Sequence, residues 1–213
     1  LLASSLAYGR VAQIILSVQK LLSRMGASPR DFVENNSAES FTKKMSGFKH
    51  RFTDGIQIAA LLFNVRKNIL KYGSLEGLFK ELLTGGSYVE ALEAFAGMLN
   101  GNSERANYLL PRPSSGSACK RLNLFMKWLV RKDDVDPGGW HGVPKSSLII
   151  PLDTHMWQIS TYLGFTNRKN ADFKSALEVT RSFAEINPED PCKFDFALTR
   201  LGIRNTKRLR DEK

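Results

Sequence analysis

Two side chains carry the reactive chemistry that this chain can offer. Lys120 ends the run Leu110-Pro-Arg-Pro-Ser-Ser-Gly116-Ser-Ala-Cys119-Lys120 and opens an apolar helical pattern. Asp153 follows the apolar run Leu148-Ile-Ile-Pro-Leu152 and opens Asp153-Thr-His155-Met-Trp157. A lysine is a nucleophile only as the neutral amine, and the first turn of a helix, with Arg121 alongside, disfavours a positive charge. Asp is a preferred N-cap, and a capping carboxylate is held ionised and fixed in direction. Such a carboxylate can also stabilise a cationic sugar or take a proton from an amine. In a chain of formal net charge +10, an amine beside a carboxylate points to Schiff-base chemistry on a nucleic acid.

The elements that must position these residues are helices. Val11, Ile14, Ile15, Val18, Leu21, Leu22 and Met25 form one apolar stripe. Ser28-Pro29 reads as an N-cap with proline at the first helical position. Asp54 and Ser74 start further helices, and Val89, Leu92, Phe95 and Leu99 give another stripe. After the Pro/Ser/Gly segment 111–117, Leu122, Phe125, Met126, Leu129 and Val130 face inward. The opposite face of that helix holds Lys120, Asn123, Lys127 and Arg131. Residues 132–147 read as a loop. Asp153 caps a helix, and Phe173, Leu177 and Thr180 belong to the next. Asp190-Pro191 starts the last, with Phe194, Leu198 and Leu201 inward. Only 147–152 could be a strand, and it is short enough to be a buried connector. The expected architecture is all-α, with roughly ten helices near the usual mean length.

Composition narrows the function classes. No stretch approaches the ~18 apolar residues of a membrane span. Cys119 and Cys192 are too few and too far apart for a four-thiolate cluster or a zinc knuckle, so neither metal nor cofactor is expected. Cys119 reads as a small hydrophobe, and a reduced cytoplasmic setting is the default. Leu1-Leu-Ala-Ser-Ser-Leu-Ala7 reads as helix interior, so the native N-terminus is expected upstream. Basic residues cluster at Lys43, Lys44, Lys49, His50 and Arg51, and at Lys120, Arg121, Lys127, Arg131 and Lys132. A third cluster is Arg204, Lys207, Arg208 and Arg210. Such patches attract phosphates, although a solvated cationic surface looks the same.

Pro151-Leu-Asp153-Thr-His155-Met-Trp157-Gln-Ile resembles the Asp-containing block of helix-hairpin-helix DNA glycosylases. It is closest to the archaeal-type 8-oxoguanine DNA glycosylase/AP lyase branch. Leu110-Pro111…Gly116…Lys120 resembles the hairpin that carries the Schiff-base lysine of bifunctional members, with Pro113 and Ser115 in place of its compact Gly-Val-Gly. The 33-residue separation of Lys120 and Asp153 is similar to the longer spacing of the archaeal enzymes, as is the Lys120…Lys127 helix. Phe48-Lys-His-Arg51-Phe, Tyr72-Gly-Ser-Leu-Glu76 and Lys193-Phe-Asp-Phe-Ala-Leu198 are similar to a bacterial family of conserved hypothetical proteins placed near this superfamily. That second resemblance covers nearly the whole chain.

The resemblance implies a helix-hairpin-helix glycosylase-like fold of two helical lobes with a cleft between them. Lobe A spans about 28–145, and lobe B about 1–27 plus 146–213. It implies a monomeric, nucleoid-associated DNA repair enzyme that everts a damaged purine. Lys120 and Asp153 are then catalytic. Asp195 contacts the base, for which an exposed or salt-bridged helix carboxylate is an equal alternative. His50 and Arg51 fall where a base-pocket turn would be. Trp140, in its Gly/Pro loop, is a candidate stacking or wedge residue, whereas Trp128 and Trp157 read as core. For His155 a structural, backbone-bonded histidine is the first reading and a contact to phosphate or sugar the second. Lys127, Arg121 and Gly116 complete the DNA-facing set. The competing function is a non-catalytic nucleic-acid-binding protein that keeps the scaffold; the altered hairpin favours it, and Lys120 with Asp153 favours the enzyme.

Overall fold

The computed structural model describes residues 1–101 and 108–205. It is all-α but for one two-stranded hairpin, with eleven α-helices among the described residues. The chain divides into two compact units, 1–112 and 113–213. This is a different partition of the elements from the lobes that the resemblance implies.

The first unit holds α1 (Leu2–Ser5), α2 (Val11–Met25), α3 (Pro29–Asn35), α4 (Ala38–Met45), α5 (Gly55–Tyr72), α6 (Leu75–Thr84) and α7 (Tyr88–Asn100). The caps fall where the sequence puts them: Ser28, Asp54 and Ser74 each accept a backbone N–H from the first turn. At α5 the cap is reciprocal, since Gln57 returns a bond to the Asp54 N–H. α5 is the central helix, packed by α3, α4, α6 and α7. Its first residue must be glycine, because a Cβ there would stand 1.9 Å from the Met45 carbonyl oxygen. Ile58, Leu61 and Leu62 of α5 are buried in the core, as are Phe41, Met45, Phe79 and Phe95 of the surrounding helices. Strands β1 (Lys49–His50) and β2 (Thr53–Asp54) pair antiparallel around Arg51-Phe52. Arg51 takes a left-handed φ of 52°. The α2 stripe is only partly covered: Leu21 and Met25 are buried, whereas Val11, Ile15 and Leu22 are exposed.

The second unit holds α8 (Lys120–Val130), α9 (Thr154–Tyr162), α10 (Phe173–Ile186) and α11 (Asp195–Asn205). The segment 147–152 is a buried connector, not a strand, and the Ile150 N–H donates to Thr180 Oγ1 at 3.0 Å. α9 packs against α11. The last helix begins at Asp195, later than Asp190-Pro191 suggests, because Asp190 is engaged elsewhere: both its oxygens accept from Arg131 Nε. The inward stripe shifts accordingly. Phe194 and Leu201 are 36% and 51% exposed, and Asp195 is buried instead.

Candidate active site

Lys120 and Asp153 come together because two helices start at the same place. The chain turns into α8 through two left-handed residues, Gly116 (φ 76°) and Cys119 (φ 50°). A one-turn 3₁₀ helix, Pro113–Ser115, precedes them. The turn is tied to the start of α10, where the Phe173 N–H donates to the Gly116 carbonyl at 3.2 Å. Lys120 is therefore the first residue of α8. Asp153 is the N-cap of α9, and its Oδ1 accepts the Met156 N–H at 2.9 Å. Its Oδ2 lies 3.5 Å from Lys120 Nζ, with the two side chains 35% and 21% exposed. Both line a cavity of about 370 Å³.

Helical spacing sets one wall of that cavity. Lys120, Leu124 and Trp128 recur at four-residue steps along one face of α8, Lys127 lies three residues past Leu124 on the same face, and all four line it. Pro151, Asp195, Phe196 and Thr199 also line it. Lys127 is 2% exposed. Its Nζ lies 3.0 Å from Asp195 Oδ2 and 3.2 Å from Asp136 Oδ1. Burial would lower the pKa of Lys127, but Asp195 and then Asp136 outweigh it and hold the ammonium above its ordinary range. Burial pushes the Asp195 carboxyl up, Lys127 opposes the rise, and Asp153 and Asp136 add to it.

The polar face of α8 is thus interior, not solvated. Asn123, Lys127 and Arg131 are all buried. Arg131 pairs with Asp190 (2.9 Å), Asp133 (2.8 Å) and Asp136. The loop 132–147 folds back to make this possible. Asp133 Oδ1 accepts the N–H groups of Val135 and Asp136, each at 2.8 Å. Gly138 is left-handed at φ 72°, where a Cβ would also stand 2.8 Å from the Lys132 Cβ.

The remaining sequence candidates are dispersed. His50 is 1% exposed and its ring is occupied inside the first unit: Nδ1 bonds Ser17 Oγ at 2.8 Å, and Nε2 bonds the Tyr8 carbonyl at 3.2 Å. That removes His50 from the DNA-facing set. Its neighbour Arg51 is exposed, with its guanidinium over the Phe52 ring. Trp140 is half-buried, edge-on to Phe125 at 5.5 Å. Trp128, assigned to the core from sequence, lines the cavity instead. Trp157 is half-buried, its Nε1–H donating to the Arg168 carbonyl at 3.3 Å. His155 Nδ1 is buried and has no hydrogen-bond partner among the described residues, so the backbone-bonded reading does not apply to that nitrogen. Arg121 is half-buried. Burial and pairing remove Lys127 and Arg131 from the second basic cluster as free surface charge. Lys207, Arg208 and Arg210 lie outside the described residues.

Cys119 and Cys192 are buried and neither is in a disulfide, and burial pushes the Cys192 thiol well up. Among the described residues no group of three or more His, Cys, Asp or Glu could hold a metal ion. No helix among them is long and apolar enough to cross a membrane.

Over residues 1–204 the chain matches the model of a family described as "Protein of unknown function (DUF2400)". The chain belongs to the DUF2400 family. No curated protein and no solved structure matches it. The DUF2400 match includes Lys120, Asp153, Lys127, Asp136 and Asp195, so the whole cavity lies inside the family domain.

Proposed function

We propose that this DUF2400 chain is a helix-hairpin-helix DNA glycosylase with AP lyase activity, acting on a damaged purine through a Schiff base at Lys120. The observation that carries the reading is the 3.5 Å approach of Lys120 Nζ to Asp153 Oδ2 on the wall of one cavity. Nucleic-acid binding alone needs neither group there. The cavity volume falls within the range of small-molecule sites, and its lining suits an everted base. Trp128 and Phe196 offer aromatic surface, and Lys127 with Asp195 offers a donor beside an acceptor.

The chemistry balances with these residues. The neutral Lys120 amine adds to the sugar C1′ as the bond from C1′ to the base breaks, and the bonding pair leaves with the base. Asp153 accepts the proton shed by the amine and stabilises positive charge at C1′. The nitrogen lone pair then forms the C1′=N bond as the C1′–O4′ bond breaks, O4′ takes the proton held by Asp153, and the opened sugar is left as the iminium. Loss of a proton from C2′ then expels the 3′ phosphate by β-elimination. Asp153 can act without moving, because its other oxygen is fixed to the Met156 N–H.

The test is base release from a duplex carrying one 8-oxoguanine, followed by strand cleavage. Wild type should release the base and nick the strand, and Lys120→Gln should do neither. Salt-dependent binding of the duplex by wild type without base release would establish the non-catalytic binder instead.

A further inference from the structure

Asp136 sits in an acidic, glycine-rich loop, yet it is fully buried. It does not line the cavity. Its two oxygens are divided between two cations of α8: Oδ1 faces Lys127 Nζ at 3.2 Å, and Oδ2 bonds Arg131 Nη1. Arg131 is also held by Asp190 and Asp133, so it keeps two carboxylates without Asp136. Among the described residues, Lys127 keeps only Asp195.

Burying such a network does not by itself stabilise a fold, since apolar residues of equal volume commonly do as well or better. What this network does is fix a cation at a cavity wall. An ammonium has three N–H donors. The two carboxylates, 3.0 and 3.2 Å from Nζ, engage two of them, which leaves the third for a ligand. Without Asp136 the ammonium is drawn wholly to Asp195, and donor and acceptor then satisfy each other instead of a base.

We infer that Asp136 is a positioning residue of the base subsite, anchoring Lys127 so that Lys127 and Asp195 present an adjacent donor and acceptor to the polar edge of an everted base. This rests on the glycosylase reading. It divides the site in two: the chemistry at the sugar belongs to Lys120 and Asp153, and recognition of the base depends on Asp136 acting through Lys127.

An abasic site has no base, which makes the division measurable. In the full chain, Asp136→Asn keeps shape and removes charge. Base release from 8-oxoguanine duplex should fall by about 10- to 100-fold. Borohydride trapping on abasic duplex should stay within about twofold of wild type. Lys127→Gln should show the same split, and the double variant should add nothing further. Should Asp136→Asn prove unfolded by circular dichroism, Asp136→Glu, which keeps the charge and displaces it, takes its place with the same expected split. A folded variant that loses both reactions equally, or neither, overturns the positioning role. Wild type that neither releases base nor traps overturns the glycosylase reading, and this inference with it.

Discussion

Asp153 holds the α9 N-terminus with one carboxylate oxygen and faces Lys120 Nζ at 3.5 Å with the other. One side chain therefore caps a helix and orients an amine. The cap fixes the direction of the second oxygen, so the structural and chemical roles reinforce each other.

Asp153→Asn separates the two roles. Asn caps a helix about as well as Asp, so the melting temperature should change little and duplex binding should survive. Base release should fall by about 10²- to 10⁴-fold, the usual worth of a positioned acid–base group. Single-turnover kinetics check this, and near-wild-type release would remove the catalytic assignment.

The caps were legible in the sequence because capping is local. Ser28, Asp54, Ser74 and Asp153 each bond a backbone N–H three residues on. The interior of the second unit was not legible, because its partners come from distant segments. Lys127 and Arg131 read as a solvated face until a loop carboxylate, Asp136, the first residue of α11, Asp195, and Asp190 just before that helix are folded onto them. Asp190-Pro191 looks like a helix start, but pairing with Arg131 takes that carboxylate away. Trp128 could have been assigned to the site by spacing alone, since it follows Lys120, Leu124 and Lys127 on one helical face. Nothing in the sequence around Asp136 distinguishes it from an exposed loop acid.

Arg131→Leu should destabilise the chain strongly. It leaves Asp133, Asp136 and Asp190 without their shared cation, and breaking a buried pair in this way costs about 3–5 kcal/mol. Urea denaturation followed by circular dichroism checks it; a change below about 1 kcal/mol would mean the network contributes little.

His50→Ala should weaken the first unit without changing DNA affinity. The substitution removes the ring's bonds to Ser17 Oγ and the Tyr8 carbonyl, at a cost of about 1–3 kcal/mol. Thermal melting and a salt titration of duplex binding check both halves; a shallower salt slope would place His50 at the nucleic acid.

Stability should fall in acid partly through Asp172. Its hydrogen bonds from Arg168 hold the carboxyl down at about 2, against an ordinary 3.8. The folded state therefore binds its proton later than the unfolded chain does. The stabilisation is full above pH 3.8 and is lost as pH falls from there to about 2. Asp172→Asn, which can still cap α10, should flatten that limb of the melting temperature against pH. An unchanged limb would assign the acid sensitivity elsewhere.

The most direct test of the account is borohydride trapping on a duplex with one abasic site, with the adduct mapped by peptide mass spectrometry. The account expects a covalent protein–DNA adduct on Lys120 that disappears in Lys120→Gln. No adduct with wild type, or an adduct on another lysine that persists in Lys120→Gln, would contradict it.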